Sequence, residues 1–127
     1  MNMHQVLVVD NDENILSAFE EYLIKKNCNM IGAPTTEVGL KKMKQQNFDL
    51  LIADVSVASK LETDFIMEAK KLQSNIRIIA ITSYSDKIRE SNMKINGADY
   101  LFIKPLELKK LNKAVDYCLK QNQKIIS

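Results

Sequence analysis

Two hydrophobic periods take turns along this chain. Five short runs, at 6–9, 28–33, 48–53, 76–81 and 100–103, are mainly apolar, all but the second rich in Val, Ile, Leu or aromatic residues, and too short for ordinary helices. They predict strands, and the nearly unbroken run at 48–53 predicts one buried on both faces. The second run is more polar and predicts a sheet edge. Between the runs the apolar positions recur at helical spacing. Ile15, Leu16, Phe19, Tyr22 and Leu23 predict a helix over 13–26, with acids in its first turn and Lys25-Lys26 in its last, as the helix dipole favours. Pro34-Thr35-Thr36 predicts a turn and N-cap for a helix reaching 46, with Val38, Leu40 and Met43 inward. A loop over 55–60 precedes a helix over 63–72 that turns Phe65, Ile66, Ala69 and Leu72 inward. A helix over 85–96 carries an irregular stripe of Ile88, Met93 and Ile95 and ends in an Asn96-Gly97 left-handed cap. The last, over 106–121, buries Leu108, Leu111, Val115 and Cys118.

Five strands alternating with five helices predict an α/β fold, a doubly wound (βα)5 parallel sheet covered on both faces. Right-handed crossovers leave few arrangements. The common one has strand order 2-1-3-4-5, a flavodoxin-like three-layer sandwich. That order makes the first and third strands neighbours at the switch point, where open parallel sheets keep their binding crevice. The residues just past each strand then acquire meaning: Asp10-Asn11-Asp12-Glu13 after the first, Asp54 after the third, Thr82-Ser83 after the fourth and Lys104-Pro105 after the fifth. Asp10, Asn11 and Asp54 should converge, flanked by Thr82 and Lys104. An aspartate after a single strand can equally turn the chain or cap a helix.

Composition narrows the chemistry. At 127 residues the chain is expected to form one domain, with 121–127 either a tail or the start of a linker. Its 18 Lys and Arg against 16 Asp and Glu give a formal charge of +2, too weak a bias for nucleic acid or membrane binding. Cys28 and Cys118 fit neither a metal site nor a disulfide scaffold and are expected to be buried or neutral thiols in a reducing compartment. With His4 the sole histidine, a His-dependent triad and a multi-His zinc site are excluded. No basic-then-apolar leader and no run of membrane-spanning length is present, so a cytoplasmic domain is expected. Crowded carboxylates raise one another's pKa unless protons or a cation neutralise them. Oxygen-only ligands point to Mg²⁺ completed by waters and a phosphate oxygen. Beside it Asp54 could form an acyl phosphate, Lys104 supplying a point charge and Thr82 a hydroxyl.

The segments Val6-Leu-Val-Val-Asp-Asn-Asp-Glu-Asn-Ile15, Asp49-Leu-Leu-Ile-Ala-Asp54, Ile78-Ile-Ala-Ile-Thr-Ser83 and Gly97-Ala-Asp-Tyr-Leu-Phe-Ile-Lys-Pro105 together resemble the receiver domains of two-component response regulators. The resemblance runs from end to end. It implies that Asp54 takes phosphate from a phosphohistidine of a sensor histidine kinase or phosphotransfer protein, the domain catalysing its own phosphorylation and dephosphorylation. It implies Mg²⁺ bound by Asp10, Asn11, Asp54 and the Ser56 carbonyl, Thr82 turning toward the phosphoryl group, Lys104 pairing with it, and room for a cis Lys104–Pro105 bond. Output or homodimerisation is implied on the face of the fourth helix, fifth strand and fifth helix.

This chain also departs from the family pattern. Asn11 stands where a second acid is usual, so one charge is lost and Mg²⁺ should bind more weakly. Asp12 either compensates or serves the helix amino end. Ala58 and Glu62 replace a usual Pro and Gly, and Leu101 an aromatic switch residue. Ser56 and Tyr84, at the positions that tune attack by water, are neither carboxylates nor amides, so self-hydrolysis should be slow. The competing reading is a pseudo-receiver, a constitutive protein-interaction module. An external phosphatase lacks a second carboxylate near the nucleophile, and flavin binding lacks a Gly-rich phosphate loop.

Overall fold

The computed structural model describes residues 3–56, 59–83 and 96–121. In chain order these form β1 (His4–Val9), α1 (Glu13–Ile24), β2 (Cys28–Ala33), α2 (Thr36–Gln45), β3 (Leu50–Asp54), α3 (Lys60–Leu72), β4 (Arg77–Thr82), β5 (Tyr100–Ile103) and α4 (Leu108–Gln121). The strands make one parallel sheet in the expected order, β2-β1-β3-β4-β5, with β2 at one edge.

Strand alternation divides the core into two layers. Leu7, Val9, Leu51, Ala53, Ile78 and Ala80 face Met43 of α2 and Phe65, Ile66 and Ala69 of α3. Val6, Val8, Leu50, Ile52, Ile79 and Ile81 face Phe19 and Leu23 of α1 and Leu111, Val115 and Cys118 of α4. Each fully buried aliphatic side chain here contributes roughly 1.5–3 kcal/mol. Both cysteines are buried free thiols, as expected, and burial pushes the Cys118 thiol up to about 12. Gly39 lets α2 lie close against the sheet, since a Cβ there would meet Val9 Cγ2 at 3.0 Å.

Helix phase was legible, as were the starts of α1 and α2 and the ends of α3 at Leu72 and α4 at Gln121, while the end of α1 and the starts of α3 and α4 were not. α1 stops at Ile24 because Asn27 adopts a left-handed φ of 59° and the amides of Lys26 and Asn27 bond to Leu23 and Ile24. Lys25 and Lys26 therefore lie just beyond the last turn, not inside it. α3 starts at Lys60, within the expected loop, since Ser59 Oγ accepts from the Glu62 amide. Leu72, expected inward, is 45% exposed. The adjacent Gln73 takes the inward place, accepting from the Phe48 amide and donating to the carbonyls of Met43 and Gln46. Leu108, also expected inward, is 66% exposed at the first position of α4. The first bond of that helix runs from the Leu111 amide to the Glu107 carbonyl, so Leu106 precedes the helix and packs on the core instead. Gly97 has the expected positive φ, 93°, while the expected helix over 85–96 falls almost wholly outside the described residues.

Candidate functional site

Parallel pairing aligns the strand ends. Val9 is opposite Ala53, so the next residues, Asp10 and Asp54, stand side by side, and Asp54 is opposite Ile81, one residue before Thr82. The Lys104 amide donates to the Thr82 carbonyl at 2.8 Å, extending the β4–β5 ladder by one bond. Residues far apart in sequence are thereby gathered at the carboxyl ends of four strands. Asp10 is buried, and its Oδ1 accepts from the Asp12 amide at 2.9 Å. The Asp54 side chain is 25% exposed, and its Oδ2 accepts from Lys104 Nζ at 2.7 Å. Thr82 is fully buried. The Lys104–Pro105 peptide is cis.

Charge is crowded here. Burial first, then the charge of Asp54 and a hydrogen bond with it, hold the Asp10 carboxyl above the ordinary carboxylate range, against the opposing Asp12 amide and Lys104 ammonium. Lys104 is raised above its usual value chiefly by the hydrogen bond to Asp54, with burial opposing and the charges of Asp54, Asp10 and Asp12 assisting. A carboxyl with a raised folded-state pKa contributes stability below about pH 4 and loses it as pH rises through the raised value. Asp10→Asn should therefore unfold at a higher temperature than the parent near neutral pH in the presence of chelator, the gain vanishing in acid. Thermal unfolding at the two pH values checks this.

The donor set suits a small hard cation. Asp10 and Asp54 bring two carboxylates together, and the Ser56 carbonyl, which accepts from the Ser59 amide at 3.0 Å, retains a second lone pair. Asn11 is exposed at the rim and offers an amide oxygen. Asp12 takes the humbler of its two expected roles: it is the N-cap of α1, accepting from the Asn14 amide. Among the described residues no three His, Cys, Asp or Glu side chains gather closely enough to hold a metal by themselves. Two carboxylates completed by carbonyls and waters is the coordination Mg²⁺ commonly accepts.

Leu101 packs half-buried on the α2/α3 side of the sheet. Tyr100 and Phe102 lie on the opposite face, stacked at 6.1 Å, with Tyr100 edge-on to Tyr117 of α4. Tyr84 and Ala58 lie outside the described residues. Asp99, which bonds across to β4, was not anticipated; an acid directly before a short strand was its signal.

Fold and crevice together define a flavodoxin-like α/β domain with an acid–lysine site at its switch point. Residues 6–116 match the response regulator receiver domain, and the chain belongs to that family, the receivers of two-component signalling. Among curated proteins it is 26% identical over 95% of its length to the probable C4-dicarboxylate response regulator DctR of Bacillus subtilis and 29% identical over 86% to the response regulator ArlR of Staphylococcus aureus. It covers 54% and 49% of those proteins, and 27% of the transcriptional regulatory protein ZraR of Escherichia coli, so the chain spans about half or less of these relatives. Among solved structures, the response regulator TrrA of Thermotoga maritima, in complex with Mg²⁺ and BeF, is 28% identical with a TM-score of 0.77 over 91% of this chain and 99% of that one. A CheY-like receiver domain of Methanospirillum hungatei is 27% identical with a TM-score of 0.76, covering 95% and 100%. No helix among the described residues is long and apolar enough to cross a membrane.

Proposed function

We propose that Asp54 is the phosphoacceptor of a Mg²⁺-dependent receiver, loaded by a histidine kinase or phosphotransfer protein. The carrying observation is Lys104 Nζ held 2.7 Å from Asp54 Oδ2, beside the buried Asp10. An Asp54 carboxylate oxygen attacks phosphorus, the phosphohistidine N–P bond breaks, and the new O–P bond makes a mixed anhydride. Lys104 holds the carboxylate and then shifts its charge to the phosphoryl oxygens. Thr82, at the end of β4, supplies a hydroxyl to the same group. Asp10, Asn11, Asp54 and the Ser56 carbonyl would hold Mg²⁺, which supplies charge neutralisation as the phosphate arrives. The signal would leave through the face of β5 and α4, by homodimerisation or by contact with a target. TrrA, with Mg²⁺ and BeF in its structure, supports this use of the crevice.

Incubation with a small acyl phosphate and Mg²⁺, followed by intact-mass measurement, tests the reading. One added phosphoryl group, absent with chelator and persisting well beyond seconds, is expected, since Ser56 carries no carboxylate or amide to orient a water. No added phosphate would favour the constitutive interaction module, which Asn11 and the two-carboxylate donor set make the natural competitor. Asn11 also predicts its own result. Restoring the charge with Asn11→Asp should tighten Mg²⁺ binding by roughly a factor of 10, read by calorimetric titration without any phosphodonor.

A further inference from the structure

The far end of β5 carries a fastening that the site itself does not use. Asp99, immediately before the strand, donates its amide to the Ile78 carbonyl at 2.8 Å and accepts the Ile78 amide on Oδ2, also at 2.8 Å. Its carboxylate thus stands in for a backbone carbonyl in the ladder. Arg77 of β4 donates to its Oδ1 at 3.2 Å, and Lys70 of α3 approaches its Oδ2 at 3.5 Å while also donating to the Ile76 carbonyl. One side chain therefore ties the start of β5 to β4 and to α3.

β5 needs such a fastening. It has four residues, among the described residues it is an edge strand paired only with β4, and none of its side chains is fully buried. Both of its faces are apolar, Leu101 turned to one core layer and Tyr100 and Phe102 to the other, so the polar–apolar alternation that specifies register in other strands is missing here. A slip of one residue moves the chain by about 3.3 Å and reverses the face of every side chain. The contact between Lys104 and Asp54 is shorter than that displacement.

We propose that Asp99 is a positioning residue: by accepting the Ile78 amide it sets the register of β5 and so places Lys104 on Asp54 at the opposite end of the strand. The idea rests on the phosphoacceptor reading of Asp54 and Lys104, and its test is arranged to fail separately from that reading. Asp99→Ala removes the acceptor and the charge. Asp99→Glu keeps the charge for Arg77 and Lys70 but carries the carboxylate one methylene away from Ile78, and serves if the alanine variant folds poorly. Asp99→Asn keeps an acceptor oxygen and should rescue.

Amide hydrogen exchange reads the register directly, whether or not the protein is phosphorylated. In Asp99→Ala and Asp99→Glu the Lys104 amide should lose protection while Val8 and Ile52 in the sheet centre keep theirs. Phosphoryl uptake from a small acyl phosphate should fall on the order of 10²-fold, the penalty of a misplaced catalytic group, with Mg²⁺ affinity unchanged. Asp99→Asn should stay near the parent in both readouts. Lys104 protection unchanged in both variants, or lost only together with Val8 and Ile52, overturns the proposal. Should the parent take up no phosphate, the proposed function fails, and exchange at Lys104 still decides this inference.

Discussion

Asp54→Asn should take up no phosphoryl group from any donor, the largest effect expected of a single substitution in this chain. The amide has nearly the shape of the carboxylate and can still accept from Lys104, so the fold should hold. It lacks the anionic oxygen that must attack phosphorus. The charge change also relieves Asp10, whose pKa is raised in part by the charge of Asp54 and by the hydrogen bond between them. Thermal stability in chelator should therefore hold or rise as phosphate uptake disappears. Intact mass and thermal unfolding on one sample give both results, and phosphate that persists in the variant would move the acceptor elsewhere.

Lys104→Ala should slow uptake on the order of 10²-fold, as expected when one preorganised charge is taken from a developing transition state. Binding of Mg²⁺ should not suffer. The ammonium competes with a cation for Asp54 Oδ2, so its removal should leave Mg²⁺ affinity equal or higher. Slower transfer with intact metal binding separates Lys104 from Asp10, whose loss should weaken Mg²⁺ itself. Because the Lys104 side chain is more than a third exposed, the ion pair should add little to folding stability, and the variant should unfold near the parent temperature.

Most of the fold was readable because period two and period 3.6 were cleanly separated. The strands Cys28–Ala33 and Tyr100–Ile103 coincide with their apolar runs, and the parity of each run divides the core as observed. Once the strand order is known, residues 10, 54, 82 and 104 must gather, since each ends a neighbouring strand. What failed was local and polar. Leu72 and Leu108 have the correct helical phase but sit at helix ends, where Gln73 turns inward through its hydrogen bonds and Leu106 packs on the core instead. Ser59 starts a helix three residues early through a single hydroxyl. Asp99 escaped notice because an acid before a short strand is a weak signal until its partner amide, twenty-one residues away, is known.

A crystal structure grown with Mg²⁺ and beryllofluoride, a stand-in for the phosphoryl group, puts the account to its most direct trial. Beryllium bonded to an Asp54 carboxylate oxygen is expected, with Lys104 Nζ and the Thr82 hydroxyl on its fluorines and Mg²⁺ on Asp10, Asn11, Asp54 and the Ser56 carbonyl. Beryllofluoride bound away from Asp54, or a crevice still closed by Lys104 at saturating concentrations of both ligands, would contradict it.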